Sequence, residues 1–275
     1  MTEPLAQPMS PHAYLMFAFR LVQWSTLAAL VWKITAFAVM VNHYVAIPIE
    51  QDFFPAVFRS TSLLVGAYFG AIGALATAAI TDRRRLRLVA CSSALVCVAA
   101  LCVHQGSYND MTFATAWWTS LWSVWLATRI GIDDPDELLV RAAWLSRCLI
   151  SLILLGGAVG KWTSEYWSGQ VLYEIYFVDR DFWLFTLLRR ALDPESLRLV
   201  ATWYSRNVII VETACGLGLW LLPPRRAAMV GVLVLTSIVV FSNIQLFSVL
   251  LSLIGLAAVG LFVGRQPTDP AGDQS

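Results

Sequence analysis

Charge is what this sequence has least of. Asp, Glu, Lys and Arg make up 13% of its 275 residues while 58% are hydrophobic, and a soluble domain carries about 25% charged residues. Such a chain cannot cover its own surface in water. The two signs nearly cancel, 19 Lys and Arg against 18 Asp and Glu. No basic excess is left to neutralise phosphates, which excludes a nucleic-acid partner. Histidine is scarce, and His12, His43 and His104 lie too far apart to form a helical zinc pair, so no metal is expected. The five cysteines, Cys91, Cys97, Cys102, Cys148 and Cys215, form no CxxC pair and read as small buried hydrophobes. The first residues show neither a lysine-rich leader nor a small-residue cleavage site, so no removable signal peptide is expected. A nucleophile elbow, a Ser-His-Asp set and a phosphate loop are also missing.

Long apolar runs dominate what is there. A helix needs about 20 apolar residues to cross the hydrocarbon core. Runs of that kind fall near 17–41, 60–80, 88–103, 111–130, 143–160 and 207–222. The run over 228–263 is too long for one straight helix, and Ser242-Asn243-Ile244-Gln245 interrupts it. It reads either as two segments or as one span with a re-entrant piece. The expected fold is an all-α polytopic membrane bundle of about seven or eight segments over 17–263, with short tails at 1–16 and 264–275.

Arginine placement gives the orientation. The loops Asp82-Arg83-Arg84-Arg85-Leu86-Arg87 and Pro223-Pro224-Arg225-Arg226 have the same parity along the span list. Both are expected inside, with the N-terminus cytoplasmic and the 161–199 segment outside. A bacterial inner (plasma) membrane is the expected location. Asp134-Pro135-Asp136-Glu137 and Asp193-Pro194-Glu195 read as helix starts, an N-cap carboxylate followed by Pro at the first helical position.

Lys33, Lys161 and Glu212 lie within or at the edge of apolar runs, where a charge costs about 2.5–3.5 kcal/mol on insertion scales. Each reads as either a structural ion pair or a working group. Gly156 and Gly160 suggest a small-residue helix-packing face. Gly66 and Gly70 suggest another. After Lys161 the chain carries Trp162, Tyr166 and Trp167. The stretch 170–188 then mixes Tyr173, Tyr176, Phe177 and Trp183 with Glu174, Asp179, Arg180 and Asp181. Such a segment neither spans nor dissolves, and is expected in the interface plane. It is either an aromatic belt or a lid over a cavity that lipid-soluble molecules enter sideways.

Gly157-Ala158-Val159-Gly160-Lys161-Trp162 followed by Tyr166-Trp167-Ser168-Gly169 resembles an A-G-V-x-K-L … W-x-x-G stretch. That stretch belongs to the horizontally transferred transmembrane (HTTM) family, the membrane part of vitamin K-dependent γ-carboxylases. Glu212-Thr213-Ala214-Cys215-Gly216 and the N-x-Q-L-F-S-like run Asn243-Ile244-Gln245-Leu246-Phe247-Ser248 follow in the family order. Asn109 falls near a family Asn-His pair, with Asp110 in place of the histidine.

The resemblance implies a reduced quinone (vitamin K hydroquinone-like) or another lipid-soluble substrate. Lys161 would be the general base in carboxylase- or epoxidase-like chemistry, with Trp162, Tyr166, Trp167, Asn109, Asp110, Glu212, Asn243 and Gln245 around the ligand. An ordinary lysine, with a pKa of about 10.4, is only about 0.04% neutral at pH 7. A base lysine therefore needs a dry pocket, and the expectation is that Glu212 stands apart from Lys161, or else pairs with Lys33 or Arg206. Two other readings stay open: a non-catalytic accessory protein that docks a secreted or toxin polypeptide, and a solute transporter. A transporter typically shows paired broken helices, whereas this sequence has one break.

Overall fold

The computed structural model describes residues 10–46, 56–103, 111–241 and 247–264, and these are helical with no strand among them. The first helix, α1, spans Pro11–Ala46. It starts earlier than the expected tail allows, because Ser10 caps it through the Ala13 amide (3.3 Å) with Pro11 in the first position. After a 3-10 turn at Ala56–Arg59 come α2 (Thr61–Ile80), α3 (Arg84–Cys102), α4 (Met111–Arg129) and α5 (Pro135–Val159). Two short helices follow, α6 (Ser164–Trp167) and α7 (Gln170–Leu172), the latter running into a π-helical turn over Tyr173–Val178. Then come α8 (Trp183–Ala191), α9 (Pro194–Leu221), α10 (Pro224–Phe241) and α11 (Phe247–Ala258), which closes in a 3-10 turn at Val259–Phe262.

Asp134 and Asp193 cap α5 and α9 as expected. Each accepts hydrogen bonds from the two following free amides, Asp136 and Glu137 in one case and Glu195 and Ser196 in the other. Those bonds, led by the Ser196 amide, hold the Asp193 carboxyl below its usual range. Starting from this cap, α9 continues through the expected boundary at 207 and carries Arg198 and Arg206 within one long helix.

Among the described residues, five helical stretches are long and apolar enough to cross a bilayer: Pro11–His43, Thr61–Ile80, Arg84–Cys102, Pro135–Val159 and Pro224–Phe241. The region 228–263 resolves into two antiparallel helices, α10 and α11. A Cβ added to Gly260 would meet the carbonyl oxygen of Pro224 at 2.7 Å, so the end of α11 lies against the start of α10. The break itself, 242–246, lies outside the described residues. Helix α11 also runs antiparallel to α1, with Phe17 against Phe262 (ring centroids 5.3 Å) and Trp32 against Phe247 (4.7 Å).

Apolar packing alone gives helices little reason to associate in lipid, and hydrogen bonds between them add to it. Gln23 donates to Ser123 (2.6 Å), Thr26 to Thr119 (3.1 Å), and Thr112 shares a proton with Ser248 (2.9 Å). These contacts tie α1, α4 and α11 together. Of the two glycine pairs expected as packing faces, Gly70 does meet a neighbouring helix, at Cys97 Sγ (3.0 Å). A Cβ added to Gly66 or Gly156 would meet no neighbour within 4 Å, and one added to Gly160 would meet only backbone of its own helix end. The close approach between α5 and α9 instead uses Gly216, whose Cβ would lie 2.7 Å from Leu155.

One end of the bundle gathers arginine contacts. Arg20 pairs with Asp82 (2.6 Å), Arg84 donates to the Thr128 carbonyl (3.3 Å), and Arg147 to the Leu222 carbonyl (2.9 Å). At the other end, α6 to α8 fold across α9. Phe177 and Phe185 bury themselves against Leu197 and Ala201, giving this cap its own small core.

Candidate functional site

The site begins where α5 ends. The chain turns at Gly160, whose amide donates to the Gly156 carbonyl (3.1 Å), and Thr163 then caps α6. The Lys161 side chain folds back along α5 and donates to the Gly157 carbonyl (3.1 Å). On its other side stands Glu212 of α9, with Oε2 at 2.7 Å and Oε1 at 3.0 Å. An ammonium has three N–H donors, and here three acceptor atoms face it. Gly157 lies beside the pair: a Cβ there would sit 3.5 Å from both Lys161 Nζ and Glu212 Oε2, an ordinary van der Waals contact.

This overturns the expected separation of the two charges. Glu212 pairs with Lys161, not with Lys33 or Arg206. Lys33 lies half-buried on α1. Arg206 donates instead to the Trp167 carbonyl (3.1 Å) and lies over the Trp167 ring (5.5 Å). The pair is largely withdrawn from solvent, with side-chain exposures of 27% for Lys161 and 13% for Glu212.

Beside the pair lies a cavity of about 320 Å³. Lys161 and Glu212 form its charged wall, and no other charged side chain lines it among the described residues. Val208, Val211, Ile238 and Phe241 from α9 and α10, with Leu172 from the cap, make it mainly apolar. Tyr166, Tyr176 and Tyr204 stand on the cap side, and Ser205, Asn207 and Ser237 supply the remaining polar groups. Val211 (43% exposed) and Phe241 (48%) show that the cavity opens sideways between α9 and α10.

The cap is fastened to α9 by three consecutive carbonyls. Ser205 donates to Tyr166, Arg206 to Trp167, and Thr202 to Ser168 (2.7 Å). Gly169 adopts φ +81° directly against the α9 backbone, where a Cβ would lie 2.5 Å from Thr202 Cα. The far edge is latched at the end of α10: Tyr204 donates to the Phe241 carbonyl (2.6 Å) and Trp183 to that of Val240 (3.0 Å).

The chain matches no known family, no curated protein and no solved structure. The site therefore has to be read from its own residues.

Of the residues expected there, the structure brings Lys161, Tyr166 and Glu212 to one cavity. Trp162 and Trp167 do not line it. They stack on each other outside (centroids 5.2 Å, planes 17° apart), and Trp162 Nε1 reaches Thr213 (3.4 Å). The aromatic residues that do line it are Tyr166 and Tyr176 from the cap, Tyr204 from α9 and Phe241 from α10. Asn109, Asp110, Asn243 and Gln245 lie outside the described residues.

Sequence reasoning missed Tyr176, Tyr204, Asn207 and Ser237. One signal was available for α9: Tyr204, Val208, Val211 and Glu212 recur at the helical spacing of one face, with Asn207 beside them. That puts the polar groups of Tyr204, Asn207 and Glu212 beside two valines along one side of a largely apolar helix. The groups around the cavity can hold a small uncharged head by hydrogen bonds and its tail by apolar contact.

Proposed function

We propose that this chain is an integral membrane protein that takes a lipid-soluble small molecule with a hydroxyl-bearing head, of the quinol class, at the Lys161–Glu212 pair. The observation that carries this is the mainly apolar cavity of about 320 Å³ that opens sideways and has one ion pair in its wall. Ligand sites are typically of this size and make-up, apolar with a few convergent polar groups. The resemblance to the HTTM family adds its direction: a lysine base acting on a reduced quinone.

An ammonium already facing three acceptors cannot take up a proton. For Lys161 to act as a base, its proton passes first to Glu212 over the 2.7 Å contact. Two neutral groups are then left, and the net charge of the cavity wall is unchanged by the transfer. The freed Lys161 Nζ accepts the substrate hydroxyl proton while Glu212 Oε2 holds the other. A bound quinol would supply the redox chemistry; the protein supplies position, dryness and the proton path.

In this reading eight helices cross the membrane, α1 to α5 and α9 to α11. The arginine-rich end faces the cytoplasm by the positive-inside rule, and the capped cavity faces the outer leaflet of a plasma membrane.

Native mass spectrometry of the protein extracted from its membrane tests the proposal. A copurified neutral isoprenoid lipid, lost from a Lys161→Ala variant that still folds, is the expected result. A copurified polypeptide with no lipid would favour the accessory reading and overturn this one.

A further inference from the structure

A second cavity, of about 340 Å³, lies where the cap meets the first turns of α9. From the cap it takes Gln170, Tyr173 and Glu174, whereas the first cavity takes Leu172 and Tyr176. Arg198 and Thr202 of α9 form the facing wall. The lining holds one cation and one anion, and among the described residues the two do not pair with each other. Arg198 lies over the Tyr173 ring instead (4.9 Å to its centroid), and Glu174 accepts from Gln170 Nε2 (3.1 Å). Opposite charges are thus held apart across one space. The ring contact leaves the N–H fork of Arg198 open to the oxygens of an anion.

Depth and surroundings say which kind of molecule brings both charges. Helix α9 has 28 residues, about 42 Å at 1.5 Å per residue, against a bilayer of about 40–45 Å with its head groups. Arg198, in the second turn of α9, therefore falls in the head-group layer. Beside it, Leu199, Trp203 and Ile210 are exposed along one face of the helix. They form an apolar lane running about 18 Å from the level of Arg198, close to the depth of one leaflet with its head groups. We infer that this cavity binds the head of a zwitterionic phospholipid bearing a primary ammonium. Its phosphate lies on Arg198, its ammonium on Glu174 and its chains along the lane. A lipid held there touches the cap and α9 at once, and so fastens one to the other. The inference rests on the proposed crossing of the membrane by α9 and not on the quinol reading of the first cavity.

The experiment titrates the full chain, stripped of lipid in detergent, with phosphatidylethanolamine, phosphatidylglycerol and phosphatidylcholine of identical chains, read by native mass spectrometry. Phosphatidylethanolamine is expected to bind about tenfold more tightly than either, the effect of one charge-assisted hydrogen bond. A choline has no N–H to donate, and a glycerol head carries no cation. Glu174→Gln should erase that preference, and Arg198→Gln should weaken the ethanolamine and glycerol lipids alike. Both side chains are exposed, so neither change threatens the fold. Equal binding of the three lipids by wild type, a preference that survives Glu174→Gln, or unchanged binding in Arg198→Gln would overturn the inference and leave the function proposed for the first cavity standing. Soluble phosphoethanolamine has the same head without chains and should not displace the bound lipid at equal concentration. Displacement would overturn the lipid as the source of the head.

Discussion

Removing one partner of the Lys161–Glu212 pair should harm the protein more than removing both. At 2.7 Å the attraction is about 6 kcal/mol for an effective dielectric of about 20, but desolvation of the two ions offsets most of it. Breaking a buried pair by deleting one member costs about 3–5 kcal/mol, because the survivor is left uncompensated, whereas an apolar replacement of both is often neutral. Exposure of 27% at Lys161 and 13% at Glu212 puts this pair towards the lower end, about 3 kcal/mol. The two single variants should also differ. Lys161→Met strands the more enclosed carboxylate and should destabilise more than Glu212→Leu. The double variant should return to within about 1 kcal/mol of wild type. Unfolding by SDS titration in mixed micelles at neutral pH gives the cycle directly. Single variants that fold as well as wild type, or effects that simply add, would show that the two charges are solvated separately and that the enclosed pair is wrong.

Other consequences follow from the cap and the helix contacts. Gly169→Ala should loosen the cap, since a left-handed residue with a side chain is strained by about 1–2 kcal/mol. Its Cβ would also press on the Thr202 backbone at 2.5 Å. Faster protease cleavage between α5 and α9 is the readout. Arg189 donates to the carbonyls of Phe177 (2.8 Å), Val178 (3.1 Å) and Arg180 (3.0 Å). Arg189→Met should therefore speed amide hydrogen exchange over residues 177–183 while α1 to α4 stay protected. Ser151 accepts from Trp220 Nε1 (2.6 Å) and donates to the Gly216 carbonyl (2.6 Å). Ser151→Ala leaves both unpaired, and a loss of about 1–3 kcal/mol in the same SDS titration is expected. The Asp193 carboxyl is held below its usual range by the α9 amides. Its support is present above the unfolded value of about 4 and is lost as pH falls through the lower folded value. Protection of the Glu195 and Ser196 amides, read as exchange relative to the intrinsic rate at each pH, should fall over that acid window in wild type and be low throughout in Asp193→Ala.

How much of this was legible beforehand depends on the kind of signal. Apolar runs and the Asp-Pro starts are local signals, and they placed the helices and both caps well. The end of α1 nearer the tail was missed because Ser10-Pro11 is a helix start too, without an acid to advertise it. Lys161, Tyr166 and Glu212 stood out because polar groups in apolar runs are conspicuous. Their mutual distance did not, since it depends on how α9 packs on α5 through Gly216. Helical spacing marked Gly156 and Gly160 as a contact face, yet spacing does not say which face a neighbour uses. The stacking of Trp162 on Trp167 outside the cavity and the three carbonyl contacts to α9 likewise depend on how the cap folds. Those are properties of the folded cap rather than of composition.

The central claim is that the cavity beside Lys161 and Glu212 holds a lipid-soluble head. Photo-crosslinking tests it most directly, using a prenylated 1,4-dihydroxynaphthalene with a diazirine on the tail, in membranes containing the protein. Labelling should concentrate on Val208, Val211, Ile238 and Phe241 and fall sharply in the Lys161→Met/Glu212→Leu double variant, which keeps the fold. Label spread evenly over the lipid-facing helices, or unchanged in that double variant, would contradict it.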